Sequence, residues 1–146
     1  MQTQKKPSWI NNYKCVEHNS YIAYENLPQV FSAADFLVLP YDFSHKSIKY
    51  IKYSMPTKAP EYMISGTPII IFAPAVTAIV KYADEYNWAK VITENNVIEI
   101  ANAIKQLIKS KELRQQIAQN AINLAENNHN SIYVTDQFKK AILSIL

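Results

Sequence analysis

A single glycine, Gly66, separates a helical pattern from the run Ile69-Ile70-Ile71-Phe72. Glycine enters the left-handed region that ends a helix without steric cost, and Pro68 stops any helical continuation. Three isoleucines and a phenylalanine without polar alternation suit a strand covered on both faces. Upstream, Ser54 is placed to cap a short helix, and Pro56 falls near its first turn, where a missing N–H costs nothing. The stretch from Ser54 to Phe72 thus predicts a loop, a helix, a glycine stop and a buried strand. One glycine in 146 residues also excludes the glycine-rich loops that cradle phosphates, both the P-loop and G-x-G-x-x-G.

The rest of the chain alternates in the same way. Residues 1–12 are polar and read as a loose leader or the remnant of a helix, ahead of one domain over 13–146. Tyr13 to Glu17 predicts a short strand with Cys15 as a small apolar member. Tyr21 to Tyr24 predicts a second strand or an extended link. Leu27 to Ala34 reads as a short helix, and Asp35 to Leu39 as a buried strand ended by Pro40. Residues 41–53 show no convincing period and read as a loop. Helix follows from Ala75 to Tyr86, with Val76, Ile79, Val80 and Ala83 on one face. Ala89 to Ile92 is the last strand. Three helical stretches close the chain: Val97 to Lys109, Lys111 to Glu126, and Ser131 to Leu146, the last carrying Phe138, Ile142 and Ile145. Strands alternating with helices, then a helical tail, predict a parallel α/β sheet.

Several classes of chemistry are absent from this pattern. A net charge of +3 is too mild to argue for nucleic acid. Cys15 is alone, so there is neither a disulfide framework nor a C-x-x-C site. His18, His45 and His129 fall in no ligand cluster, so no metal is expected. No serine has a G-x-S-x-G setting. No apolar run spans a membrane, and no secretory leader is visible, which predicts a cytoplasmic place.

What remains is the helix near Pro56. Lys58 and Glu61 are three apart and share a face of it, and a helix start beside a sheet favours anions. One cation, one carboxylate and free amides suit a phosphate with a sugar hydroxyl nearby. The bland alternatives are a solvated glutamate and a surface lysine.

The spacing Pro56-x-Lys58-x-x-Glu61-Tyr62-Met63-x-x-Gly66-x-Pro68-Ile69-Ile70 resembles a stretch of the group-1-type glycosyltransferases, two-domain enzymes with paired Rossmann-like halves. Leu27-Pro28-x-x-Phe31-Ser32-Ala33-Ala34-Asp35-Phe36-Leu37-Val38-Leu39-Pro40 resembles an upstream segment of the same family, and Ile98 to Leu146 resembles its closing helices. The resemblance covers roughly residues 13 to 146 in order. It implies a Rossmann-like parallel sheet flanked by helices with a helical C-terminal tail, one half of the two-domain fold. The acceptor-binding N-terminal domain and the first βα unit have no counterpart here, so the chain alone is expected to show little or no turnover.

The resemblance further implies a hexosyltransferase-type enzyme using a UDP- or GDP-type sugar, with no other cofactor and no metal. Glu61 would accept hydrogen bonds from the ribose, and the Thr57 and Lys58 amides with the Lys58 ammonium would meet the diphosphate. Many relatives carry a second glutamate eight positions before Glu61; here Tyr53 stands there. Asp42 or another residue of that loop would replace it, and His45 lies close enough in sequence to meet phosphate or acceptor. No residue is assigned a catalytic role. Two other readings stay open: a non-catalytic nucleotide-binding module, or a surface using Lys46 to Tyr53, where lysines interleave with tyrosines, to grip nucleic acid or anionic lipid. Of those partners, peripheral membrane contact is kept and nucleic acid is not expected. The bland reading of that stretch is a solvated loop with tyrosines partly packed.

Overall fold

A computed structural model describes residues 6–19 and 21–145. Three short strands, β1 (Leu37–Pro40), β2 (Ile69–Phe72) and β3 (Lys90–Ile92), form a parallel sheet with β2 in the centre. Leu37 pairs with Ile69, and Ile70 with Lys90, which sets the register on either side. Helices α1 (Leu27–Ser32), α2 (His45–Ile51) and α3 (Ala59–Ile64) precede β2, and α4 (Ala78–Tyr86) links β2 to β3. Helices α5 (Val97–Lys109), α6 (Lys111–Asn128) and α7 (Ser131–Leu143) complete the chain.

Because successive strand side chains point to opposite faces, β2 feeds two cores. Ile69 and Ile71 meet Met63 of α3, Ile79 and Val80 of α4, and Ala121 and Leu124 of α6. Ile70 faces Ile92, Ala103 and Leu107 on the other side, under α5. All three isoleucines are buried, each worth about 1.5–3 kcal/mol relative to an exposed position. Trp88 lies fully buried in the first core, its ring edge-on to Tyr82.

The glycine stop is as expected: Gly66 has φ +76 just past α3, and Thr67 then donates its hydroxyl to the Phe31 carbonyl at 2.7 Å. With no second glycine, the other left-handed residue among those described is Asn87, at the end of α4 with φ 52. Asparagine tolerates that region better than other non-glycine residues, and Asn120 donates to its carbonyl at 3.0 Å. The single arginine, Arg114, reaches back from α6 to the Leu107 and Ile108 carbonyls at the end of α5.

Several expectations are corrected. Residues 41–53 hold α2, not a loop. Ser44 caps it by accepting from the Ser47 amide, and Ile48 and Ile51 supply a half-buried edge too short to show a period. Helix α3 begins at Ala59, so Ser54 does not cap it, and Pro60 rather than Pro56 occupies its first turn. The span from Tyr13 to Glu17 forms no strand, and Cys15 is exposed there. Strand β1 starts at Leu37 and lies at the sheet edge, with Val38 exposed between buried Leu37 and Leu39. Helix α4 starts at Ala78, which leaves Val76 exposed ahead of it. The leader is not wholly loose: Ile10 is buried in a 3-10 turn over Ser8–Asn12, while residues 1–5 lie outside the described residues.

Candidate functional site

Strand β1 runs into Tyr41-Asp42-Phe43-Ser44 and then α2, while β2 runs into Ala73–Thr77 and then α4. Both connections leave the carboxyl edge of the sheet, the edge where open parallel sheets bind ligands. A backbone hydrogen bond of 2.7 Å from the Ala78 amide to the Lys52 carbonyl ties the two together. The chain then crosses Tyr53 to Lys58 and enters α3, which leads back to the start of β2.

Thr57 and Lys58 are exposed, and their amides make no backbone hydrogen bond among the described residues. The Ala59 amide, by contrast, is held by the Pro56 carbonyl at 3.0 Å, and Pro60 has no N–H to offer. The unengaged amides near this helix start are therefore those of Thr57 and Lys58, ahead of the helix, and of Glu61 within its first turn. Glu61 stands in that first turn and is half-buried. No hydrogen bond or ion pair among the described residues engages its carboxylate. Its charge, after burial, helps hold the neighbouring Tyr62 hydroxyl above its usual range.

Glu61 also lines two open grooves. One, of about 340 Å³, is walled by Tyr24, Leu27, Pro28, Phe31 and Ile64 between α1 and α3. The other, of about 400 Å³, brings Glu61 near Glu126, His129 and Asn130 at the α6–α7 junction. The apolar walls of the first were not expected from the sequence, where Leu27 to Ala34 reads only as a short helix.

The other candidates fare differently. Asp42 is exposed, but its carboxylate is occupied: it accepts from the Ser44 amide at 2.9 Å, the Ser44 hydroxyl at 2.8 Å and the Ser47 hydroxyl. These bonds, that of Ser47 foremost, hold its pKa below the usual carboxylate range. Asp42 thus fixes the start of α2, a role that explains the residue without any sugar. His45 is exposed in the first turn of α2, and Tyr53 is exposed beyond its end with the Lys52 ammonium 5.1 Å from its ring centre. The tyrosines of this stretch are not partly packed, as the bland reading had it: Tyr50 and Tyr53 are 78% and 81% exposed.

His129, which showed no partner in the sequence, has one. Its Nε2 lies 3.0 Å from the Tyr82 hydroxyl, which accepts from Asn128 Nδ2 at 3.4 Å. Burial lowers the His129 pKa. Tyr82 is 47 positions away, so only the packing of α4 on α6 could reveal the pair. Among the described residues no group of acidic, cysteine and histidine side chains could hold a metal ion, and no helix is long and apolar enough to cross a membrane.

A three-stranded parallel sheet flanked by helices, with a helical C-terminal part, is a Rossmann-like α/β architecture. Residues 6–124 match the family of group 1 glycosyl transferases, and the chain belongs to that family. Among solved structures, the crystal structure of WaaG, a glycosyltransferase involved in lipopolysaccharide biosynthesis, is similar at 21% identity and a TM-score of 0.49, over 68% of this chain. The chain spans only 24% of that protein's length. No curated protein matches.

Proposed function

We propose that this chain binds the nucleotide diphosphate of a UDP- or GDP-type sugar donor, as the donor half of a hexosyltransferase-type glycosyltransferase. The observation that carries the reading is the pairing of two unengaged amides, Thr57 and Lys58, with a half-buried, unpartnered Glu61 carboxylate one turn on. A carboxylate accepts two hydroxyl hydrogen bonds at once, which suits the ribose diol. The amides and the Lys58 ammonium would stabilise charge growing on the departing diphosphate.

The transfer to an acceptor hydroxyl would take place against an N-terminal acceptor-binding domain of the same enzyme, with 13–146 as the donor domain. By itself the chain would give little or no turnover, since half the cleft would be missing. Asp42 would serve as the second sugar-contacting carboxylate only through what Ser44 and Ser47 leave free, since they already engage both of its oxygens. His45 and Tyr53 remain the exposed groups of that rim open to sugar or acceptor.

Calorimetric titration with UDP, GDP and ADP tests the reading. One nucleotide should bind, and Glu61→Ala should weaken it about tenfold or more, roughly 1.4 kcal/mol. Unchanged affinity in the variant would remove Glu61 from the site, and no binding of any nucleotide would remove the donor site from this chain.

A further inference from the structure

Charge in this protein is unevenly placed. Residues 43–60 hold Lys46, Lys49, Lys52 and Lys58 with no acidic residue, a charge of +4. Asp42 and Glu61 bound the stretch, so residues 42–61 together carry +2 of the chain's +3. The structure turns this stretch into a helix, and the helix sorts it. Ser47, Ile48, Ile51 and Lys52 are half-buried against the body, while Lys46, Lys49, Tyr50 and, just past the end, Tyr53 are exposed at helical spacing.

Apolar groups border the lysines. Met55 follows on the same strand of chain, and the hydrogen bond between Ala78 and Lys52 brings the connection holding exposed Val76 against the end of α2. Tyr50, Tyr53, Met55 and Val76 thus stand out beside Lys46, Lys49 and Lys52 on one rim of the domain.

We propose that this rim docks on an anionic bilayer surface. Lysines near such a surface gain from its negative potential, and tyrosine rings settle at the level of the headgroups. Met55 and Val76 gain by entering the acyl boundary. A nucleic-acid backbone would reward the lysines and stacked rings but would leave those two side chains in water, which is why a bilayer fits better. The rim is shared in part with the nucleotide reading, which leaves Tyr53 open to sugar or acceptor and gives Lys58 to the diphosphate; Lys46, Lys49 and Lys52 carry no donor role.

The test is co-sedimentation of the full 146-residue chain with phosphatidylglycerol vesicles and with phosphatidylcholine vesicles. Binding should occur on the first alone and should fall with added salt, since screening shortens the reach of surface charge. Each lysine contributes roughly fivefold, so Lys46→Ala, Lys49→Ala and Lys52→Ala together should lower the partition coefficient by about a hundredfold. Circular dichroism of that variant checks that α2 and the fold persist. Removing Lys105, Lys109 and Lys111 instead, an equal charge from the α5–α6 region, should have far less effect. Equal losses in the two triple variants, equal binding to both vesicles or no binding would overturn the proposal. So would a single-stranded oligonucleotide that binds more tightly than phosphatidylglycerol at the same salt.

Discussion

Helices α5 and α7 are the same length, 13 residues, and start in the same way. Asn96 accepts from the Ile98 amide at 2.8 Å, and Asn130 from the Ile132 amide at 2.9 Å. Both carry apolar residues at helical spacing. Yet α5 buries Ala103 and Leu107 against β2 and β3, while α7 buries nothing, and Phe138, Ile142 and Ile145 stand exposed. A cap and a period specify that a helix forms and which stripe of it is apolar. They do not specify what covers the stripe. For α5 the cover is the Ile70 and Ile92 face of the sheet, which no residue of α5 encodes.

The widest split between the two helices should appear in their apolar residues. Leu107 is fully buried, so Leu107→Ala should cost about 2–5 kcal/mol through lost transfer energy and the cavity left behind. Phe138→Ala removes a larger side chain, but an exposed one, and should stay within about 0.5 kcal/mol. Denaturant unfolding of both variants measures the contrast. A large loss for Phe138→Ala in the chain alone would mean that α7 packs in solution.

The same contrast divides what the sequence made legible from what it did not. Gly66, Pro68 and the isoleucine run are local signals: each acts on its own residue or its neighbour, and the stop and the central strand stand where they predict. The bounds of α5 are legible because Asn96 and Ser110 mark them with side-chain hydrogen bonds to nearby amides. Helix α2 was hidden because Asp42, Ser44 and Ser47 supply its start by a side-chain cluster that reads equally as a turn. In the candidate site, the place of Glu61 in the helix that Gly66 ends was legible, but its half-burial was not. The engagement of Asp42 did not, and neither did the Tyr82–His129 contact, which depends on two helices packing.

The caps themselves should separate by a smaller margin. Asn96→Ala removes an acceptor from a helix tied into the second core, so it should lower global stability by about 1 kcal/mol. Asn130→Ala removes the equivalent bond from a helix that shares few contacts with the body, so its loss should appear as local fraying. Hydrogen exchange distinguishes them. Asn130→Ala should speed exchange within Ser131–Leu143 alone, whereas Asn96→Ala should speed the slowest-exchanging amides of β2 as well.

The finest difference lies where α6 hands over to α7. His129 ends α6 against Tyr82, one residue before the Asn130 cap, and burial lowers its pKa from the usual 6.5. In the tautomer with a bare Nε2 the ring accepts from the Tyr82 hydroxyl, whereas an imidazolium can only donate to it. The unfolded chain therefore binds a proton more readily than the folded one between the folded pKa and 6.5. Stability should rise with pH across that window, be fully present above it, and be lost as pH falls through the folded pKa. Glu61 and Glu126 share the groove beside His129 and favour the charged ring, so burial has to outweigh both for the sign to hold. Following the His129 ring protons by NMR from acid to neutral pH gives the midpoint directly. A midpoint at or above the ordinary histidine value would show that the two carboxylates win. A midpoint below it that moves on Tyr82→Phe would place the packing of α4 on α6 in control of the junction from which α7 departs.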